Sequence, residues 1–494
     1  MAVFKVDPEV INGYVIEQFK KMAAVPRPTN YMEKISAYLS GWAKEHGFEH
    51  WQDKVGNVIF DVPATKGCEG APLTILQAHM DMVCVAEEGK AFDKFNDPIS
   101  VIQKDGFLTA EGTSMGGDDA IGIAMAMYAA VSDDVTHGPL RVICTVNEEG
   151  GDPSGAGNLE HRFVTEAGYL INIDSEDYAT CTVAACGFAA YPFSFKCTRE
   201  ATVSGQRAYK IELSGLLGGH SGVDIAKNRA SAIKAVNYIL AQMTHKKIPF
   251  YLNSFNGGVS MAAIPPNASA VVVVDEANEG ALKEIFEFTK KYFAKQFDRT
   301  EAGYIFTCNE VPLPEKALTA ADSAKAVSLI AAVRVGVNTI SQRYAGITES
   351  SINIGQIAFN EGDESFNLFV AMRTSSEWPV MLANVEFASI AAAMGVSCEF
   401  REQFSIGWVE KEGAKLPGMY AEAFEEYTGD KCVITAVHGG LECAAFSQWS
   451  EDIEIISVGP TVVSPHSTGE RIPIETIGKT AGAIANLLGK IALM

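Results

Sequence analysis

Hydrophobic positions recur along this chain with two different periods, and the change from one to the other marks its elements. Over residues 30–45 the apolar positions Ile35, Tyr38, Leu39 and Trp42 fall on one helical face. Residues 7–23 also read as a helix, and Pro26 and Pro28 break the two apart. Asn30 is the expected N-cap of the second, with Glu33 three residues on. Short apolar runs at 55–62 and 73–78 predict strands. After a Gly-Gly-Asp-Asp turn, residues 120–131 predict a helix of small apolar residues, suited to packing closely on a sheet. Runs at 140–146 and 169–173 predict two more buried strands. Strands alternating with helices, with polar residues gathered at strand ends, predict an open α/β sheet with a site along its carboxyl edge.

Near residue 190 the pattern turns to alternation without acidic strand ends. This predicts an inserted α+β domain over 190–404, between two parts of a first domain at 1–189 and 405–494. Within the insert, Gly257-Gly258 leads to a strand at 268–274 and a helix at 279–292. About a hundred residues later Asn353-Ile354-Gly355 leads to a strand at 366–372 and a helix at 378–394, which predicts a duplication. The same echo arises by chance in any α+β domain. Beyond residue 407 the first style resumes, with a helix at 415–427 and a strand at 431–436. A helix beginning at His438-Gly439-Gly440-Leu441-Glu442 follows, then a strand at 453–458 and a closing amphipathic helix at 474–493.

Composition narrows the field. A length of 494 residues exceeds one ordinary core, so two domains are expected. A hydrophobic content of 47% with 20% charged residues is that of a soluble globular protein. The formal net charge of −22 argues against nucleic acid or an anionic membrane as a partner. No apolar stretch reaches a membrane span, and residues 1–7 lack the basic-then-apolar pattern of a secretory signal. The ten cysteines are scattered without a Cys-x-x-Cys pair, which predicts free thiols in a reducing cytoplasm.

The candidate chemistry centres on Gln77-Ala78-His79-Met80-Asp81-Met82-Val83. In an extended segment residues i and i+2 point the same way, so His79 and Asp81 are presented together where a strand ends. That suits a metal-ligating imidazole with an orienting carboxylate. Further clusters are Gly116-Gly117-Asp118-Asp119, Asn147-Glu148-Glu149, Asn172-Ile173-Asp174-Ser175-Glu176 and Ser464-Pro465-His466-Ser467, each within or after an apolar or Gly-rich segment. Two imidazoles and three carboxylates, one of them shared, suffice to hold two zinc ions.

Together with Gly218-Gly219-His220-Ser221-Gly222, Gly440-Leu441-Glu442-Cys443 and Gly459-Pro460-Thr461, these motifs resemble, in order, the aminoacyl-histidine dipeptidases. Those enzymes belong to the di-zinc peptidase family that includes carnosinases, tripeptidases and glutamate carboxypeptidases. The resemblance implies an α/β fold: a discontinuous catalytic domain with a mixed sheet flanked by helices, and an inserted α+β lid made of a duplicated ferredoxin-like unit. It implies that His79 and Asp174 hold one zinc, Glu149 and His466 the other, and that Asp118 bridges them, with cobalt or manganese able to substitute. Asp81 would orient His79, and Glu148 would be the general base that activates water. His220, in a Gly-rich turn of the lid, would reach the oxyanion on closure.

Other roles are open at this level. Glu442 is expected to bind substrate or to stand by the second metal. Arg373 is expected to bind a substrate carboxylate or to form a surface salt bridge. His438 either lines a specificity pocket or caps a helix. Asp119 stands where the family has Asn and is expected to be structural; His46, His50, His137, His161 and His245 are expected to be solvated. Relatives carry Asn-Ala-Ile-Pro-Arg-Glu in the lid where this chain has Ala262-Ala263-Ile264-Pro265-Pro266-Asn267, so an amide and an arginine are missing.

The implied activity is hydrolysis of unblocked dipeptides, of Xaa-His or broader type, by a cytoplasmic homodimer or monomer. A deacylase of N-acylated amino acids on the same metals is the nearest alternative. A non-catalytic metal-dependent peptide binder would have no use for Glu148 and His220.

Overall fold

The apolar run after Pro72 becomes a strand, Thr74–His79, buried at every position. A strand hidden on both faces must lie inside a sheet with layers above and below. The computed structural model, which describes residues 4–399, 407–450 and 452–494, places it so. The chain divides into two compact units, one of Met1–Ala185, Trp408–Ala436 and Leu441–Met494, the other of Cys186–Gly407 and Val437–Gly440.

In the first unit the strands Leu140–Thr145, Thr74–His79, Tyr169–Asn172 and Glu454–Ser457 run parallel, side by side. Antiparallel strands extend the sheet on both sides: Val58–Val62 and Glu49–Gln52 beyond Leu140–Thr145, Thr180–Ala185 and Trp408–Val409 beyond Glu454–Ser457. The helices Pro8–Ala23, Gly117–Val131, Leu416–Thr428 and Ile474–Ala492 pack in a connected layer. Gly117–Val131, apolar along almost its whole length, lies directly on Thr74–His79.

The second unit is built on a nine-stranded antiparallel sheet. Its first half runs Gln206–Ser214, helix Ala232–His245, Tyr251–Gly257, Ala268–Asp275, helix Glu279–Phe297, Ile305–Val311. This is a βαββαβ path whose strands stand in the order fourth, first, third, second. The second half has the same path and order: Gly187–Lys196, helix Ala320–Ala332, Thr348–Phe359, Ser365–Thr374, helix Glu377–Met394, Ser397–Cys398. The two are ferredoxin-like halves joined edge to edge through their second strands, Phe255 facing Phe359 and Gly257 facing Ile357. They are nested, not in tandem: the first half is inserted between the first strand and first helix of the second. Asn237 and Lys234 tie the halves' first helices, the amide donating to Val327 O at 3.1 Å and the ammonium to Ile330 O and Val333 O at 2.8 Å.

Several details differ from the sequence reading. The second helix begins at Glu33 with Met32 as its unassisted N-cap, and Asn30 is not a cap. Asn30 instead takes a left-handed backbone, φ 72°, and binds the loop that carries Glu148 and Glu149. Strand Glu49–Gln52 was not legible, because its exposed ends hide any alternation. The crossing to the second unit falls at Cys186, ahead of residue 190, since Gly187–Lys196 is one unbroken strand of that unit. The expected return at 404–405 lies outside the described residues. His438 belongs to the second unit, and the helix near it is the short Cys443–Phe446 with Glu442 as N-cap. His137 is buried, not solvated, with Nδ1 at 2.7 Å from Gly138 O.

Candidate metal centre

Four adjacent parallel strands end on the same side of the first sheet, and each delivers acidic or imidazole groups there. Thr74–His79 ends in His79 and leads to Asp81; Leu140–Thr145 leads to Glu148 and Glu149; Tyr169–Asn172 leads to Asp174; Glu454–Ser457 leads through Gly459 toward His466. Asp118 comes from the N-terminal turn of Gly117–Val131. The carboxyl edge of a parallel sheet is where such folds place ligands. Glycine is required at 459: a Cβ there would stand 1.7 Å from Ser175 O, beside Asp174.

Asp118 divides its two oxygens. Oδ1 is 2.9 Å from His79 Nε2, and Oδ2 is 3.0 Å from His466 Nε2. Asp174 Oδ1 is 3.5 Å from His79 Nε2, and Glu149 Oε1 is 2.6 Å from His466 Nε2 without alignment as a hydrogen bond. The donor atoms of His79, Asp118 and Asp174 lie within 4.8 Å of one another, as do those of Asp118, Glu149 and His466, and those of His79, Glu148 and Glu149.

The site fits cations. Asp118, Asp119, Glu148, Glu149, Asp174, Glu176 and Glu442 crowd around two imidazoles. Burial and mutual repulsion push Asp174 up to about 7, Glu176 up to about 8 and Glu442 up to about 7, while Glu148 and Asp119 also rise well above the usual carboxylate range. His466 is held up at about 11, against the effect of burial, by Asp118 and Glu149. Negative charge exceeds what the side chains can neutralise, and the buried Glu149 Oε1 lacks an aligned donor. Nitrogen and carboxylate oxygen donors in this mixture suit zinc.

Around the cluster the supports differ in kind. Asp81 sits behind His79, with Oδ1 at 3.5 Å and its backbone carbonyl at 3.2 Å from Nδ1. Its carboxylate also accepts the N–H groups of Glu148 at 3.0 Å and Glu149 at 3.2 Å and the hydroxyl of Thr29 at 3.0 Å. Asp81 therefore links the imidazole to the two glutamates. Asp119, buried and outside the three donor groups, accepts the N–H of His79 and that of Gly122, as a structural residue would. Glu442 is buried on the side of His79 and Asp174: its Oε2 accepts from Gln77 Nε2 at 2.6 Å and Thr145 Oγ1 at 2.5 Å, while Oε1 has no hydrogen-bond partner among the described residues.

In the second unit, Arg373 is 8% exposed, which rules out a surface salt bridge. Its guanidinium lies over the Phe188 ring at 5.2 Å, with Nε donating to Ser221 Oγ at 3.1 Å and Nη2 standing 2.9 Å from His220 Nε2. A guanidinium cannot accept, so His220 Nε2 is the acceptor there, and the N–H of Val223 stands 3.3 Å from its Nδ1. Among the described residues no carboxylate pairs with Arg373. His438 does not cap a helix: it is buried, Nδ1 at 2.9 Å from Cys186 Sγ and Nε2 at 2.7 Å from Ser351 Oγ.

Arg27, Thr29 and Glu470, which hold the site's turns, were not among the candidates visible in the sequence. The available signals were a charge between two prolines at Arg27 and a glutamate four residues after His466.

The sequence pattern of peptidase family M20/M25/M40 matches residues 75–490. The chain belongs to this family. As an M20/M25/M40 peptidase it is a metallopeptidase, and the convergent His, Asp and Glu donors form a cluster that could hold its metal. The chain is similar to the cytosol non-specific dipeptidase of Escherichia coli (strain K12), 29% identical over 473 residues that cover 96% of each. It is also similar to the crystal structure of aminoacylhistidine dipeptidase from Vibrio alginolyticus, with a TM-score of 0.82 and 29% identity over 99% of this chain and 98% of that one. Human carnosine dipeptidase 1 shares the fold at a TM-score of 0.53 and 10% identity, covering 99% of this chain and 100% of that one.

Proposed function

We propose that this metallopeptidase hydrolyses the peptide bond of unblocked dipeptides, Xaa-His among them, with two zinc ions held at the carboxyl edge of the first sheet. The observation that carries the reading is Asp118, which offers one oxygen to the His79 side and the other to the His466 side. His79 and Asp174 would hold one ion, Glu149 and His466 the other, and Asp118 both. Zinc held by these residues would supply polarisation of a peptide carbonyl and a lowered pKa for the attacking water.

The chain's own groups do the rest. Glu148 takes the proton of the attacking water and passes it to the leaving amine; its buried setting raises its pKa toward that work. Asp81 keeps His79 in one orientation and fixes the backbone of Glu148. Arg373, buried with no carboxylate partner among the described residues, receives the carboxylate end of the dipeptide. An anion arriving there takes over the guanidinium N–H, and His220, released from it, donates to the oxyanion once Nε2 has taken up a proton from solvent. Glu442 and His438 act behind these groups. The similar dipeptidases of E. coli and V. alginolyticus support a dipeptide substrate, and the E. coli protein's name together with free cysteines supports a cytoplasmic location.

The test is a hydrolysis screen of free against N-acetylated dipeptides, with carnosine and leucyl-histidine included. Turnover of free dipeptides supports the reading. Turnover confined to N-acylated compounds would make the protein a deacylase, and none at all would make it a binder.

A further inference from the structure

Glu470 lies four residues after His466 and is 2% exposed. Its carboxylate reaches into the backbone of the turn that carries Asp118. Oε2 accepts the N–H of Met115 at 2.7 Å and of Gly116 at 2.9 Å; Oε1 accepts that of Gly117 at 2.6 Å and, more distantly, of Asp118 at 3.4 Å. Successive N–H groups converging on one carboxylate form an anion nest. On the far side of the turn the fully buried Arg27 donates to Gly116 O at 2.5 Å, and also to Met80 O at 3.2 Å and Asp81 O at 3.3 Å. The Gly116 residue is thus held by its N–H from Glu470 and by its carbonyl from Arg27. It must be glycine, with φ 70° and a Cβ that would meet Arg27 Nη2 at 2.4 Å.

The loop carrying Glu470 is itself fixed. Val463 and Arg471 exchange backbone hydrogen bonds at 2.9 and 3.0 Å, closing the segment that holds both His466 and Glu470. Arg471–Pro473 pairs with Phe107–Ala110, and Thr109 Oγ1 donates to Glu470 O at 3.1 Å. One carboxylate therefore ties the turn of the shared aspartate to the loop of the second imidazole.

We propose that Glu470 is a positioning residue that sets the separation of Asp118 from His466, so that both cation positions exist together. The proposal rests on the two-zinc reading above. It requires a carboxylate specifically: two anionic oxygens serve four N–H groups, whereas a glutamine would turn its own NH2 against some of them.

The test uses the full chain, stripped of metal and titrated with zinc against a chromophoric chelator. The wild-type protein takes up two equivalents. Glu470→Gln binds zinc about 10- to 100-fold more weakly, the range typical of lost support behind metal ligands. Glu470→Asp, charged but one methylene shorter, falls between. A merely structural role would lower the melting temperature of the metal-free protein and leave the zinc affinity of the folded fraction untouched. Folded Glu470→Gln that binds zinc like wild type overturns the proposal. Should that variant not fold, Glu470→Asp decides: weaker uptake supports positioning, and unchanged uptake overturns it. A wild-type chain that takes up no zinc overturns the two-zinc reading and this proposal with it; normal wild-type uptake with an unchanged variant overturns this proposal alone.

Discussion

Glu148 and Glu149 are neighbours in sequence with different proposed tasks: Glu149 faces His466 at 2.6 Å, while Glu148 stands outside the two donor groups that share Asp118. Glu148→Ala is expected to lower turnover by about 10²- to 10⁴-fold or more while zinc content is unchanged, since it removes a proton carrier and no proposed ligand of those groups. Parallel rate and metal measurements check this. His438 yields a pH prediction. Burial, with Arg373 nearby, lowers its pKa from 6.5 to about 4. Between those values the unfolded chain binds a proton that the folded chain refuses. The stabilisation is therefore complete above pH 6.5 and is lost as pH falls toward 4, with a ceiling of about 3 kcal/mol. Melting temperature against pH should be flatter over that window in His438→Gln than in wild type. The ligand candidates were legible because imidazoles and carboxylates at the ends of apolar runs are conspicuous. Arg27 and Glu470 were not, because they act on backbone groups, which a sequence does not display. Glu442 is only half accounted for: Oε2 accepts from Gln77 and Thr145, while the buried Oε1 has no hydrogen-bond partner among the described residues.

At the scale of elements, the parallel strands were predictable because each is a short apolar run buried on both faces. Their order was not, since pairing depends on contacts between distant segments: Glu454–Ser457 lies beside Tyr169–Asn172. The duplication showed only as an echo about a hundred residues apart, because the sequence presents linear spacing and the nesting is a matter of sheet position. Tight turns against these strands give the second kind of prediction. Gly459→Ala would put a methyl group 1.7 Å from Ser175 O, so the turn must move away from Asp174. A loss of about 1–3 kcal/mol of stability is expected, as for other overpacked sites, together with weaker zinc binding. Chemical denaturation and zinc titration of the same preparation would register both. Unchanged values would mean that the turn is looser than its contacts imply.

At the scale of the molecule, segments from residue 79 to residue 466 meet at one sheet edge, and the family match over residues 75–490 spans all of them. Among the described residues no helix is long and apolar enough to cross a membrane. The most direct test is anomalous diffraction from crystals of the zinc-loaded protein. Two zinc peaks are predicted, one touching His79 and Asp174, the other Glu149 and His466, with Asp118 in contact with both. A single peak, or peaks that leave Asp118 untouched, would contradict the account.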